Sequence, residues 1–506
     1  MANGTYGWLT LAQGVAQLAA RLADPNNIFW TSAELQLYIY RALQQFNCLT
    51  NTWKTDFQFT SDNLWNSLGS LSNSPRLRSA TDIQSYTQIQ YMLMEPPSVG
   101  VWTGTTQFSL SDLVNALQTR RNEMLQISAC NDVLLQNIPV IPNTRRTYLS
   151  DTVLDVPRVR YLALQASPNA TGTAGGVSIN VSYAYGITAG QLASGTGIAP
   201  WAIVSSVSGN TVNLSIANSG TVSGVITFYS PTTLYRDDTV ALEWYESPLY
   251  QLPSGTPQTF QLSSEPPLSF DVDIAPAQTG TYEAITLQSG APFAPPAATP
   301  LGIPNDFAWV LEYGALADLL GRESEATDRE RSAYAMKRYQ DGLNLLTKTP
   351  WIMLGNVDGV ACNIDSLEDT DRYSVGWDFN PSSFGPVIVT AGIDFIAAPV
   401  GSSVGVTVLG NAPLLDASTS SFLQVSRDQW DTVLDLAQAL SSFKLGGGEW
   451  KQALELEDRA IKFCSAENSR LRSTGSFSDI LIQRGTSQDR SMNRYNARDK
   501  GGANNE

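Results

Sequence analysis

The 506-residue chain carries 31 basic and 47 acidic side chains, a formal charge of −16, is 42% apolar and contains no histidine. The missing histidine excludes Ser-His-Asp and Cys-His nucleophile systems, HExxH metalloproteases and histidine metal cages, leaving paired-carboxylate, lysine and oxygen-ligand metal chemistry open. The acidic balance argues against a nucleic-acid-coating protein, because phosphate neutralisation needs surplus Lys and Arg.

In chain order, Trp8, Leu11, Val15, Leu18 and Leu22 recur at helical steps, and Asp24-Pro25 stops that helix. Thr31 with Glu34 predicts a capping box, opening a helix striped by Leu35, Tyr38, Ala42, Phe46 and Leu49. The Ser/Asn/Pro-rich stretch 61–97 reads as a partly ordered excursion, and a third helix is expected over 109–130 behind Ser109 and Asp112. From Tyr148 the period shortens: Val212, Leu214 and Ile216 alternate with polar neighbours, as do Val240, Leu242 and Trp244. Residues 161–300 hold only one basic and eight acidic side chains, so polarity there comes from Ser and Thr.

Helix returns after Pro304, with Asn305 as expected N-cap and Val310, Gly314, Ala317 and Leu320 along one side. A partner helix begins near Thr327 and carries Ala335, Tyr339, Leu343 and Leu346; Gly314 and Ala317 allow a tight hairpin. The mixed charges Arg322-Glu323-Ser324-Glu325 and Asp328-Arg329-Glu330-Arg331 read as a solvated face. A β patch around 387–408 contains Val404, Val406 and Val408 in alternation. Ser426 with Gln429 opens a helix bearing Trp430, Val433, Ala437 and Leu440; Gly446–Gly448 breaks it, and Trp450 to Leu471 continue in a further helix. Beyond Ser473 no apolar period remains, which marks an arm that orders on a partner.

These readings sum to an α+β fold, a discontinuous helical bundle with inserted β-sandwich or barrel-like modules and an extended C-terminal arm. The expected division is a helical segment 1–150, a β-rich module 151–300, a hairpin 301–350 packing with the N-terminal helices, an acidic loop and second β patch 351–425, a helical pair 426–472 and the arm 473–506. No run approaches the ~20 apolar residues of a membrane span, and Met1–Tyr6 lacks the features of a secretory signal, so neither membrane insertion nor export is expected.

Chemistry-bearing patterns are sparse. Cys48, Cys130, Cys362 and Cys464 are too far apart for a CxxC pair and read as buried thiols of a reduced protein. Asp365, Glu368, Asp369 and Asp371 are the densest carboxylates but lack EF-hand spacing, so a surface loop is favoured over an ion site. The glycines at 172–176 and 446–448 lack a phosphate-loop context. Trp30, Trp53, Trp309, Trp351 and Trp450 fall at helix ends, as core anchors and subunit contacts do. Arg484, Arg490, Arg494, Arg498 and Lys500 make the tail locally basic, a candidate contact with the portal, a neighbouring copy or DNA phosphates. No catalytic, cofactor or metal residue is assigned.

One resemblance joins these pieces. Leu18-x-x-Arg21-Leu22-x-Asp24-Pro25, Trp30-x-Ser32-x-Glu34-Leu35 and Tyr38-Ile39-x-x-Ala42-Leu43 look like the first two helices of tailed-phage head-to-tail adaptor (connector) proteins. Ile303-Pro304-Asn305-Asp306, Tyr313-Gly314-Ala315-Leu316 and Tyr339-Gln340-x-Gly342-Leu343 are similar to the closing helical pair of the same adaptors. The likeness covers about a quarter of the chain and implies a virion protein without enzymatic activity. It implies a dodecameric ring beneath the portal at the head–tail junction, assembled in the host cytoplasm and continuing the DNA channel. Partners so implied are itself, the portal protein, tail nozzle or fibre proteins and passing genomic DNA. Competing readings are a tail nozzle, tail-tube or fibre-attachment protein and an envelope-degrading carboxylate hydrolase.

Overall fold

Caps and stripes set the helices. The computed structural model describes residues 9–68, 79–94, 107–237, 254–263, 268–322, 328–348, 352–365, 387–390, 394–413, 423–426 and 429–473. Helix α1 (Leu11–Arg21) begins in a reciprocal box: Gln13 N donates to Thr10 Oγ1 at 3.2 Å and Thr10 N donates to Gln13 Oε1 at 3.0 Å. Helix α2 (Ser32–Thr50) has only half of its expected box. Thr31 Oγ1 accepts from Glu34 N at 3.2 Å, but the Glu34 carboxylate turns inward to Lys444 and Tyr38. The chain leaves α2 through Asn51 in the left-handed region, φ +54°.

The 61–97 stretch holds more regular structure than its composition suggests: a short strand, Trp65–Ser67, and helix α3 (Asp82–Met92). Ser85, Gln88 and Gln90 of α3 are buried beside Tyr86 and Ile89, so no apolar stripe announces it. Helix α4 (Leu110–Ser128) starts at the Ser109/Asp112 box.

A 3₁₀ turn, Asn305–Phe307, leads into α5 (Ala308–Gly321), which pairs with α6 (Arg329–Lys348). Asn305 is not a cap; its Oδ1 accepts from Ala80 N at 2.8 Å, and Pro304 occupies the cap position. The hairpin is tight because Gly314 lies under Tyr339 and Gly342 under Val310, where a Cβ would sit 2.8 Å and 2.5 Å from those side chains. Helices α7 (Trp430–Ser442) and α8 (Gly447–Ser473) close the set. All eight described helices feed one apolar core, which includes Leu18, Phe46, Ile89, Leu117, Leu316, Tyr339, Leu436 and Trp450.

The described strands form three sheets, antiparallel except for two parallel pairs, and none of these sheets closes into a barrel. The large sheet is centred on Val153–Ala166, which lies between Thr227–Arg236 and Gly280–Gln288; the latter pairs outward with Asp132–Val140. Hairpins between Asn169 and Val225 extend it over a core of their own, including Ile179, Val204, Val212 and Ile226. The strands of the large sheet thus begin at Asp132, earlier than the expected change at Tyr148, while Val240, Leu242 and Trp244 lie outside the described residues.

The second sheet orders Lys54–Thr60, Ser403–Leu409, Ile352–Val357 and Val360–Ala361; Val404, Val406 and Val408 are buried, with Phe57 opposite Val406. The third joins Trp65–Ser67 to Asp394–Ala397, Val387–Thr390 and Asn363–Asp365. The molecule is therefore mixed α+β with mainly antiparallel sheets.

Candidate functional site

Helix α2 is the element on which distant parts of the chain converge. Its apolar stripe is only part of its buried surface, because Glu34, Arg41, Gln44, Gln45 and Asn47 are buried as well. Together they reach several distant segments. Glu34 accepts from Lys444 Nζ at 2.9 and 3.1 Å, just beyond α7, and from Tyr38 OH at 3.1 Å. Arg41 pairs with Glu312 of α5 and donates to Gln44 Oε1 at 2.7 Å. Gln44 Nε2 donates to Asn305 O at 2.8 Å.

Asn47 Nδ2 donates to Asp306 Oδ2 at 2.5 Å and to Gly410 O at 2.9 Å, while Asp306 also accepts from Ala412 N at 2.9 Å. Gln45 accepts from Arg338 Nη2 of α6 at 3.2 Å, and Arg338 pairs with Glu457 of α8 at 3.1 Å. Burial raises the Asp306 carboxyl to about 7, against opposing hydrogen bonds from Asn47 and Ala412, and raises Glu312 to about 7 against the attraction of Arg41. Such groups are weak evidence for net stability, but removing one partner of a buried pair leaves the other uncompensated.

Two surface features sit beside this core. The loop before α2 is fixed by Asp24, whose carboxylate accepts from the backbone N–H groups of Ile28, Phe29 and Trp30 at 2.9, 2.8 and 3.0 Å. Those donors, Trp30 first, hold the Asp24 carboxyl below its usual range. The loop presents Ile28 at 82% exposure, with Phe29 against Lys444 Nζ 4.3 Å from its ring. A groove of about 390 Å³ runs between α1, α2 and α3, lined by Leu11, Leu37, Tyr40, Gln84, Thr87 and Tyr91.

The arrangement holds distant segments together. Burial raises the Cys48 thiol and pushes that of Cys362 to about 12, so neither favours a reactive thiolate. Among the described residues no three acidic or sulfur ligands gather as a metal site. Glu368, Asp369 and Asp371 lie outside the described residues, and so do Arg484, Arg490, Arg494, Arg498 and Lys500; Asp365 ends the strand Asn363–Asp365.

Of the tryptophans singled out, Trp30, Trp309 and Trp450 are core members, Trp53 packs against the same core, and Trp351 lies outside the described residues. The charged run after α5 is more than a solvated face: Arg331 binds Asp328 at 2.7 Å and stacks over Phe443 at 5.5 Å, joining α6 to the end of α7. The buried polar face of α2 follows no local period; its one signal in the sequence is charged residues beside the apolar stripe.

No described helix is long and apolar enough to cross a membrane. No protein-family model and no curated protein matches the sequence.

Proposed function

We propose that this chain is a structural virion protein, a head-to-tail adaptor that forms a dodecameric ring beneath the portal, joins capsid to tail and continues the DNA channel. In this reading a discontinuous helical bundle carries the β modules outward, and residues 473–506 form an arm that grips the portal or a neighbouring copy. One observation carries the proposal: the two stretches that resemble adaptors, 18–43 and 303–343, meet through Arg41 and Glu312 and are extended by Gln44 on Asn305.

Further support is electrostatic and mechanical. A net charge of −16 suits a lumen through which DNA must slide without being held. A ring needs heterologous side-to-side contacts, and the fixed Ile28–Phe29 tip and the α1–α2–α3 groove are two unlike surfaces of the kind such contacts use. The partners are further copies, the portal, and tail nozzle or fibre proteins, at the head–tail junction after assembly in the host cytoplasm.

Electron microscopy of the purified full chain mixed with portal tests this. Twelvefold rings stacked on the portal are expected; isolated monomers that never co-assemble would overturn the reading.

A further inference from the structure

A second cavity, of about 400 Å³, opens away from the helical core, between the loop around Asp62 and Asn63, the 194–201 loop and the paired strands Asp132–Val140 and Gly280–Gln288. Its size is that of a small-molecule site, where ~300–1,000 Å³ is usual. The walls are built in an unusual way. The strand register shifts between Tyr282 and Ala284, so that Gln136 and Asn137 bulge opposite Glu283. Asn137 takes φ +58°, and Trp201 across the cavity takes φ +54°, an outlier for a bulky side chain. Backbone strain of this kind persists only where surroundings enforce it, and it concentrates at ligand clamps.

The polar groups are braced as well. Glu283, only 6% exposed, lies 3.4 Å from Arg160 Nη1 and accepts from Gln136 Nε2 at 3.4 Å. Arg160 is itself held between the indoles of Trp65 and Trp201, 3.6 and 4.2 Å from their centres. Asp62 supplies an exposed second carboxylate, and Asn63 Oδ1 is buried without a hydrogen-bond partner.

We infer that this cleft binds a polyhydroxylated ligand, a saccharide unit. Sugar hydroxyls each donate and accept, which matches carboxylate acceptors (Glu283, Asp62) set beside amides that do both (Gln136, Asn137). An anion would meet two carboxylates and no lining cation. An apolar guest would strand buried polar groups at a cost. The inference does not depend on the adaptor reading.

The test is saturation-transfer NMR with calorimetry on the full chain, using maltose, diacetylchitobiose and galactose, with spermidine as a cationic control. At least one sugar binds with a millimolar Kd or tighter. Asp62→Asn, at an exposed position, and Asn137→Gly, which keeps the left-handed backbone at no steric cost, each weaken binding by about tenfold or more with an unchanged melting curve. Absence of sugar binding, equal binding by both variants, or binding of spermidine alone overturns it.

Discussion

Arg41 shows what a single buried charge does in this protein. It sits 2% exposed against a Glu312 that is 3% exposed. Removing one partner strands the other, so Arg41→Ala is expected to cost about 3–5 kcal/mol, whereas the apolar pair Arg41→Met with Glu312→Leu costs much less. Urea unfolding of the three variants measures the difference. Asp306 makes a pH prediction. Its carboxyl moves from an ordinary 3.8 to about 7 on folding, chiefly through burial. A carboxyl whose value is raised in the folded state favours folding below the unfolded value, and that advantage is lost as pH climbs to the folded value. Wild type should therefore lose stability relative to Asp306→Asn between about pH 4 and 7, by roughly 4 kcal/mol, and stay level above that. Denaturant midpoints of both proteins across that range check the sign.

Among the helix pairs, the α5–α6 hairpin leaves no room at Gly314 and Gly342. A methyl group at Gly342 would meet Val310 Cγ2 at 2.5 Å, and one at Gly314 would meet Tyr339 at 2.8 Å, while Gly448 near the start of α8 has open space around it. Gly342→Ala and Gly314→Ala should each destabilise by about 1–3 kcal/mol through overpacking. Gly448→Ala should be neutral or stabilise by up to ~1 kcal/mol. Thermal melts of the three separate crowding from backbone entropy.

The same elements explain what a reader of the sequence can and cannot see. The stripe of α2, the Ser109/Asp112 cap and the Val404–Val408 alternation were legible because each depends on residues within a turn or two. Helix α3 was not, since Gln88 and Gln90 stand where apolar residues would signal a face. Strand Asp132–Val140 was missed because its bulge at Gln136–Asn137 breaks the alternation. The polar partners of α2 and the walls of the saccharide cleft come from segments far apart in sequence, which no local period encodes.

At the scale of the whole molecule, the proposed dodecamer would multiply whatever a single chain presents. Twelve copies of a 54.8 kDa chain bearing −16 each would repel strongly unless neighbours interlock through apolar or paired surfaces. Ring formation should therefore strengthen as salt rises and screens that repulsion. Native mass spectrometry or light scattering at two ionic strengths reads this, and a ring that dissolves in salt would mean that ion pairs hold it.

The long reach of α2 also bears on how the protein is made. Glu34 and Lys444 are 410 residues apart, which at ribosomal speeds of ~5–20 residues per second separates their synthesis by roughly 20–80 s. Through that interval the first helices have left the exit tunnel while the groups that complete them do not yet exist. Glu34 can take its buried partner only once Lys444 has been made, so this part of the core closes late in synthesis.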